Sequence, residues 1–528
     1  MAIEWRRCWA LTNVIIGLGV LAGCTDGDND GLGGLLDAGA KGSDDEDAGA
    51  GDADDKPMGG KGGAPAKPQG GSGGGAAGGK GGAGGAGGAG GAGGSVAPTK
   101  PNDDVAAGSS SRFFLPTIEP TNTTAPRLLA DAKGGTHMLY PTYGSGGAFY
   151  AYCPDGCSGY EDIEPVLLPT DGTVGNAALA LTRDGKPRAL LSTLLRVYYA
   201  ECDADCGSAA SWSMTPIIEH QGDQDVTGQA LALDPEGRPR FIMHTYLAYL
   251  GVGQKPPKTW IVGCDADCTS AASWQQFEIA EDKIWFNSQL IIDDSGAAHV
   301  LTGIENADGM SAGLKLAAYL ECPDSCNTAE AWTGIGLVEL YDSIVEEIKP
   351  SAAMALTKSG QPRLLLLERG GPNNKRLLYF ECNGNCTEDN WNGTALSDLS
   401  QLGSGLDLVL DAQDHPHFAF TLDWNIGLYR CTTPSCVTDD ANWQLTEVEL
   451  SGNIPKDEII LWPNCTVAAW MLHQPSLALG RDGSVRVGYQ ATDLSGGVQV
   501  IDPTKPSCVA GKDMTLSRMT LLAASAVK

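Results

Sequence analysis

The sequence predicts an all-β fold of seven four-stranded repeats behind a disordered linker, and three observations carry that prediction. A short apolar strand, an Asp/Ser-x-Gly type turn and a second strand recur seven times from about Arg127 to the end of the chain. The third strand of six units ends in Cys, with a second Cys four or five residues on. Of the 71 glycines, 30 lie in residues 25–110, a stretch without Phe, Trp or Tyr and therefore without the means to build a core.

Residues 1–23 read as a signal peptide. Arg6 and Arg7 precede an apolar run from Val14 to Leu21, too short for a permanent span, which needs about 20 apolar residues. Leu21-Ala22-Gly23-Cys24 resembles the lipobox of bacterial lipoproteins. The resemblance implies that the Cys24 thiol is acylated and becomes the new N-terminus, a palmitate-bearing membrane anchor. Thr25, where an Asp would signal retention at the inner membrane, implies the outer membrane, with the protein facing the periplasm or the cell exterior. Each methylene of the acyl chains that enters the bilayer contributes about 0.8 kcal/mol.

Residues 24–110 join the lipidated cysteine to an acidic and then Gly/Ala-rich tether. Asp44, Asp45, Glu46, Asp47, Asp52, Asp54 and Asp55 come first, followed by Gly-Gly-Ala repeats from Gly81 to Gly94. Such a chain cannot offset its ordering entropy with apolar burial. As a Gly-rich coil it spans roughly 50 Å. A collagen reading fails, because the repeat carries almost no proline.

Residues 111–528 hold the repeats. The aligned turns are Asp131 to His137, Arg183 to Arg188, Asp234 to Arg240, Asp293 to His299, Thr357 to Arg363, Asp411 to His417 and Arg481 to Arg486. The turn glycines, with Asp414 standing in once, are 51, 52, 59, 64, 54 and 69 residues apart, room for four short strands and loops in each unit. Leu231, Leu233, Phe241 and Met243, and Leu364 with Leu366, alternate as in a half-buried sheet. Seven such units resemble a seven-bladed β-propeller with four-stranded blades. The ring is expected to close through Arg112–Ile118 or Thr515–Leu522.

Fourteen cysteines remain once Cys8 leaves with the signal and Cys24 is lipidated, an even number in an exported chain, which reads as a disulfide framework. The pairs are Cys153–Cys157, Cys202–Cys206, Cys264–Cys268, Cys322–Cys326, Cys382–Cys386 and Cys431–Cys436, leaving Cys465 for Cys508. Zinc is disfavoured, since each pair sits alone on its own repeat instead of meeting a second pair. Trp212, Trp274, Trp332, Trp391 and Trp443 follow five of the hairpins and are expected to pack on their own sulfur pair and blade.

In a four-stranded blade the first-to-second and third-to-fourth connections share one face, so the turns and cysteine hairpins lie together and read as structural. The opposite face carries connections of very different length, the usual place for binding residues. Its candidate ligand contacts are Tyr246, Tyr249, Trp285, Asn287, Trp424, Trp462, Trp470 and Asp223, a set that would stack on sugar rings and bond hydroxyls, or else pack the loops down. Phe286, Tyr341, Asp225 and Asp342 accompany them. The Asp-x-Gly turns superficially resemble the Asp-boxes of sialidase propellers, but the full Ser-x-Asp-x-Gly-x-x-Trp box is missing. Arg188, Arg240, Arg363 and Arg486 occupy one repeat position and read as solvated strand-edge charges. His137, His299 and His417 occupy the same position and read as structural. His220, His244, His415 and His473 remain, with no GxSxG or HExxH motif to recruit them.

With 65 acidic against 35 basic residues the net charge is −30, and −24 of it falls on residues 111–528. This excludes a nucleic-acid partner, whose phosphates need Lys and Arg. The expectation is a surface-anchored propeller that binds a protein or glycan without catalysis. The alternatives are a glycosidase or lyase using loop carboxylates, and a structural surface component without a pocket. No catalytic residue can be assigned. No cofactor or metal is expected either, although the carboxylate-rich loops leave a structural Ca2+ open; no EF-hand-like ligand spacing appears. Metabolic labelling with a fatty-acid analogue tests the anchor: Cys24→Ser should abolish labelling, and persistent labelling would refute the lipobox.

Overall fold

The computed structural model describes residues 110–527, apart from 144–145, 194, 220–225, 246–257, 282, 307–315, 340–351, 370–374, 400–401, 434, 438–441, 457–458, 460–463, 494–498, 501–503 and 505–513. Cys24 and the predicted signal and tether lie outside these residues. The repeats form seven blades of four antiparallel strands, and the inner strands of successive blades meet in chain order around the ring. Blade 1 comprises Arg127–Ala130, Thr136–Tyr143, Ala148–Cys153 and Val166–Leu168. Its second strand also pairs with the short strand Asn122–Thr123. Blades 2 to 6 repeat the order and start at Asn176, Val226, Lys283, Ala352 and Leu402.

Local chemistry sets the first turn of every blade. Gly134, Gly185, Gly237, Gly296, Gly360 and Gly483 have φ between +77° and +96°, and Asp414 reaches +63° in their place. Positive φ costs glycine nothing and is tolerated by Asp. In blades 1 to 6 an Asp or Thr side chain at the start of the turn accepts the amide four residues on, as Asp131 does from Gly135 at 2.9 Å and Thr357 from Gln361 at 3.0 Å; blade 7 has Gly480 there. The turn thereby sets the register of the two flanking strands.

The strands are buried on both faces, where the alternation suggested one. In blade 5, Leu364 and Leu366 enter the core shared with blade 4, while Leu365 and Leu367 enter the core shared with blade 6. Likewise Phe241 and Met243 face blade 2 and Ile242 faces blade 4. A sheet packed on both sides needs near-continuous apolar strands, and Leu364-Leu365-Leu366-Leu367 is such a run. Among the described residues there are seven apolar clusters, one at each junction between blades.

All six hairpin disulfides form. Cys465 is also disulfide-bonded; its expected partner Cys508 lies outside the described residues. The tryptophans that follow the hairpins do more than pack on their own blades. Each Nε1–H donates to the carbonyl of the second cysteine, from 2.9 Å in Trp274 and Trp391 to 3.2 Å in Trp332. The ring then reaches the preceding blade. Trp212 meets Tyr150, Trp274 meets Tyr199, Trp391 meets Tyr319 and Trp443 meets Tyr379, with centroids 4.7 to 5.1 Å apart and edge-on.

Closure uses both predicted segments together. Ser111–Phe114 pairs antiparallel with Thr515–Leu522 and becomes the outer strand of blade 7. The first and last described strands are thus hydrogen-bonded neighbours. Arg518, 1% exposed, donates to Glu449 of blade 6 at 2.8 and 3.0 Å and lies 4.7 Å from the centre of the Phe114 ring. Tyr489 also bonds Glu449, and Arg112 donates to the Val448 carbonyl at 2.9 and 3.0 Å. Removing one partner of such a pair strands the other in apolar surroundings. Glu449→Gln should therefore cost about 3–5 kcal/mol in urea unfolding. A loss below about 1 kcal/mol, the level of a surface pair, would show that the pair does not hold the closure.

Candidate functional site

One position, at the start of the second strand of every blade, gathers Arg188, Arg240, Arg363, Arg486, His137, His299 and His417 on the turn face. The arginines are not solvated edge charges. Arg363 is 9% and Arg486 5% exposed. Arg188, Arg240 and Arg363 each donate to the carbonyl of the first hairpin cysteine of their own blade, at 3.1, 2.7 and 3.1 Å. Each also donates to the side chain that follows that cysteine, Asp203, Asp265 or Asn383. In blade 3 the cross-strand neighbour of Arg240 is Gly263, where a Cβ would come within 2.7 Å of the arginine stem. The guanidinium fork ties the second strand to the cysteine hairpin, a use that needs Arg and burial together.

The histidines pair instead with the turn. Asp131, Asp293 and Asp411 each stand six residues before a histidine, with Oδ2 at 3.5, 3.4 and 3.6 Å from the ring Nε2 of His137, His299 and His417. In blade 1 a chain runs from Tyr152 through Asp131 and His137 to Tyr150: the Tyr152 hydroxyl donates to Asp131 at 2.9 Å, and His137 Nδ1 meets the Tyr150 hydroxyl at 2.7 Å. Burial pushes the His137 imidazole below its usual range, with Asp131 only partly opposing it. Burial would raise the Asp131 carboxyl, but the Tyr152 hydroxyl and the Gly135 and Lys133 amides bring it below its ordinary value. Burial also pushes Tyr152 up to about 12 and Tyr150 higher still. At neutral pH the chain therefore holds a neutral imidazole, an anionic carboxylate and two phenols that resist ionisation.

This chain borders a cleft of about 720 Å³ between blades 1 and 2, rimmed by Lys133, Arg183, Lys186, Asp203 and Asp205. A smaller cleft of about 270 Å³ lies between blades 5 and 6 beside Arg363, Glu381 and His415. Both open on the turn face, which the repeat argument had left to structure. The chemistry still reads as fastening. Blade 4 repeats the arrangement with His299 Nδ1 2.7 Å from the Tyr319 hydroxyl and Asp293 on the other nitrogen, and Glu381 accepts the Cys436 amide of the next blade at 3.0 Å. No group of three or more His, Cys, Asp or Glu among the described residues could hold a metal ion. The i, i+6 pairing of Asp with His was visible in the sequence. Its tyrosine partners follow only from the strand register.

The residues proposed for the opposite face separate. Trp285 is 4% and Trp470 3% exposed, so neither offers a ring face to a ligand. Trp285 lies edge-on to Trp332 at 5.6 Å, and Trp470 packs on Phe114 at 5.3 Å. Asn287 falls within the inner strand Lys283–Ile292. Tyr246, Tyr249, Trp462 and Asp223, with Tyr341, Asp225, Asp342 and His220, lie outside the described residues. His244 is buried and held neutral, its pKa pushed down to about 3 by desolvation, and His473 bonds Thr492 at 2.9 Å.

Trp424 is 44% exposed at the tip of the two-residue hairpin between Pro416–Leu422 and Asn425–Cys431. Both tip residues have positive φ, +49° at Asp423 and +62° at Trp424. Tight hairpins of this kind favour Asn-Gly or Asp-Gly, so a bulky ring at the second position is strained. The Leu472 amide, on the inner strand of blade 7, donates to the Trp424 carbonyl at 3.1 Å and holds the turn.

No family model matches the chain, and no curated protein matches its sequence. Solved structures do resemble it distantly. A polysaccharide lyase is 8% identical with a TM-score of 0.43, over 81% of this chain and 94% of its own. An ulvan lyase is 10% identical at 0.40, over 61% and 78%. The α-L-arabinanase of Penicillium chrysogenum is 11% identical at 0.38, over 63% and 96%. Likeness at this level assigns no chemistry to the chain.

The buried histidines make a pH prediction. His417 has its pKa pushed down to about 4, by burial first and then by Arg430, with Asp411 opposing. The unfolded chain takes up a proton near pH 6.5 that the folded chain refuses until about pH 4, so stability is lost as pH falls through that window. His417→Gln should remove this slope. The stability difference between parent and variant should change by about 3 kcal/mol between pH 7 and 4, read from urea midpoints; a constant difference would mean that His417 protonates freely.

Proposed function

We propose that the propeller is a noncatalytic binding module, carried by its Gly-rich segment from a lipid anchor at Cys24 in the outer membrane, that engages a protein or glycan through its variable-loop face. The observation that carries the reading is Trp424. Its turn stores backbone strain of order 1–3 kcal/mol, and the residue it presents stays 44% exposed. Strain of this kind clusters where a side chain must be presented to something else. The titratable groups of the turn face point the same way. Those that resemble catalytic machinery recur from blade to blade as fastenings, and the tyrosines among them ionise too reluctantly to serve as bases near neutral pH. On this reading no cofactor takes part, and the negative charge of the propeller disfavours polyanionic partners.

Trp424→Gly separates the presented ring from the fold. Glycine relieves the positive φ, so the variant should be at least as stable as the parent and up to about 1 kcal/mol more so in thermal unfolding. Binding to a glycan array or to immobilised partner proteins should weaken about tenfold or more. A destabilised variant with unchanged binding would show the ring to be structural. Release of unsaturated or reducing sugars from any arrayed polysaccharide by the parent would replace the binding module with an enzyme.

A further inference from the structure

Every second amide of an inner strand bonds the strand beside it, and the alternate amides face the free inner edge of the ring. The bonds that close the turns fix which are which. Asp131 donates to the Gly135 carbonyl, Thr182 to Lys186, Thr357 to Gln361 and Gly480 to Ser484, at 2.8 to 3.0 Å. Three residues before each of these, the amides of Leu128, Leu179, Met354 and Leu477 therefore point to the inner edge, where their own blade has no strand to pair them.

Three of these four amides are taken by the blade before. Leu477 donates to Asp407 Oδ2 at 2.6 Å, Leu128 to the Ser476 hydroxyl at 3.1 Å and Met354 to Gln289 Oε1 at 2.6 Å. Asp407, Ser476 and Gln289 share one repeat position, four residues before their own turns open, and it faces the following blade. Blade 1 has Arg127 there. Arg127 lies on the same side of its strand as Leu129, which joins the cluster shared with blade 2, while Leu128 joins the cluster shared with blade 7. The guanidinium is thus turned to the strand that carries the Leu179 amide, and both are donors.

No acceptor among the described residues bonds Arg127 or the Leu179 amide. Burial lowers the Arg127 pKa, and the carboxylate that opposes this is Asp407. Asp407 is already bonded to the Leu477 amide and, at 3.0 Å, to the Ser476 hydroxyl. An arginine keeps its charge regardless, so the cation is left without a direct partner. There is room beside it. Ala177 and Ala178 of blade 2 are half-buried, whereas their counterparts Ala352 and Ala353 in blade 5 are 5% and 0% exposed.

We propose that Arg127 and the Leu179 amide hold a small carboxylate ligand at the inner edge of blades 1 and 2, in the slot that the Asp407 side chain fills between blades 6 and 7. A planar carboxylate meets the guanidinium fork with two oxygens and still offers a lone pair to the amide. The net charge of −30 disfavours dianions such as sulfate, which leaves a monoanion as the fitting charge. This site is separate from the variable-loop contact and does not rest on it.

The test titrates the full-length protein with carboxyl-labelled acetate in chloride-free buffer, read by NMR line broadening, and follows amide hydrogen exchange alongside. Binding should saturate, and acetate should slow exchange at Leu179 while leaving the already bonded Leu477 unchanged. Arg127→Gln is the decisive variant, because Gln289 shows that glutamine at this position accepts the amide of the next blade. It should be at least as stable as the parent in thermal unfolding and bind acetate about tenfold or more weakly. Ala177→Leu, which fills the space and keeps the arginine, should weaken binding as well, and Trp424→Gly should bind acetate like the parent. Parent protein without saturable binding, or Arg127→Gln and Ala177→Leu variants that bind like the parent, would overturn the proposal. Tighter binding of sulfate or phosphate than of acetate would overturn the choice of a carboxylate.

Discussion

A blade that is apolar on both faces cannot stand alone, and at five of the seven junctions it is joined to its neighbour by the tryptophan wedge behind a cysteine hairpin. The hairpin fixes the carbonyl of its second cysteine, the Trp Nε1–H bonds to it, and the indole is thereby aimed at the tyrosine three residues before the first cysteine of the preceding blade. The hydrogen bond leaves no buried N–H without an acceptor, a cost that would otherwise count against burying so large a ring. Each short disulfide loop contributes its stability locally, but its larger effect is positional, because it decides where the next interface begins.

Departures from the wedge are filled by other means. Blade 3 carries Ile261 where blades 1, 2, 4 and 5 have tyrosine, and there Trp285 from the inner strand of blade 4 joins Trp332 in the same cluster. Blade 7 has no cysteine hairpin of this kind, and its junction with blade 6 is held by Glu449, Arg518, Tyr489 and Phe114. A charge pair at a seam demands full satisfaction, which makes it more selective for the correct closing strand than apolar packing alone. Arg112 and Phe114 on the closing strand both contribute to it.

The repeat was legible because it is written in local chemistry. Glycine at positive φ, an Asp or Thr cap and a pair of cysteines four or five apart keep their meaning whatever surrounds them. The arginines were misread because their role depends on what lies across the strand. Nothing in Pro-Arg announces that the guanidinium meets a cysteine carbonyl, or that Gly263 makes room for Arg240. The same holds for Trp285 and Trp470, whose aromatic character is plain in the sequence while their burial depends on Trp332 and Phe114, which the fold brings against them. Trp424 stood out as an aromatic residue near a turn, but its strain needed the backbone angle to be seen.

The two faces of the ring therefore answer to different demands. On the turn face, short connections of one design carry the bonds that join the blades, so a change there is felt by the neighbouring sheet. On the other face the connections vary in length, which is how the repeat spacing ranges from 51 to 69 residues while the turns stay alike. A strained tip such as Trp424 can exist there because the adjoining strands are already fixed by the opposite face. The Leu472 amide bonds a carbonyl that the sheet has placed, and the remaining strain is small beside the seven buried junctions. The fastenings that repeat from blade to blade are gathered on the turn face, while the other face carries the connections that differ in length.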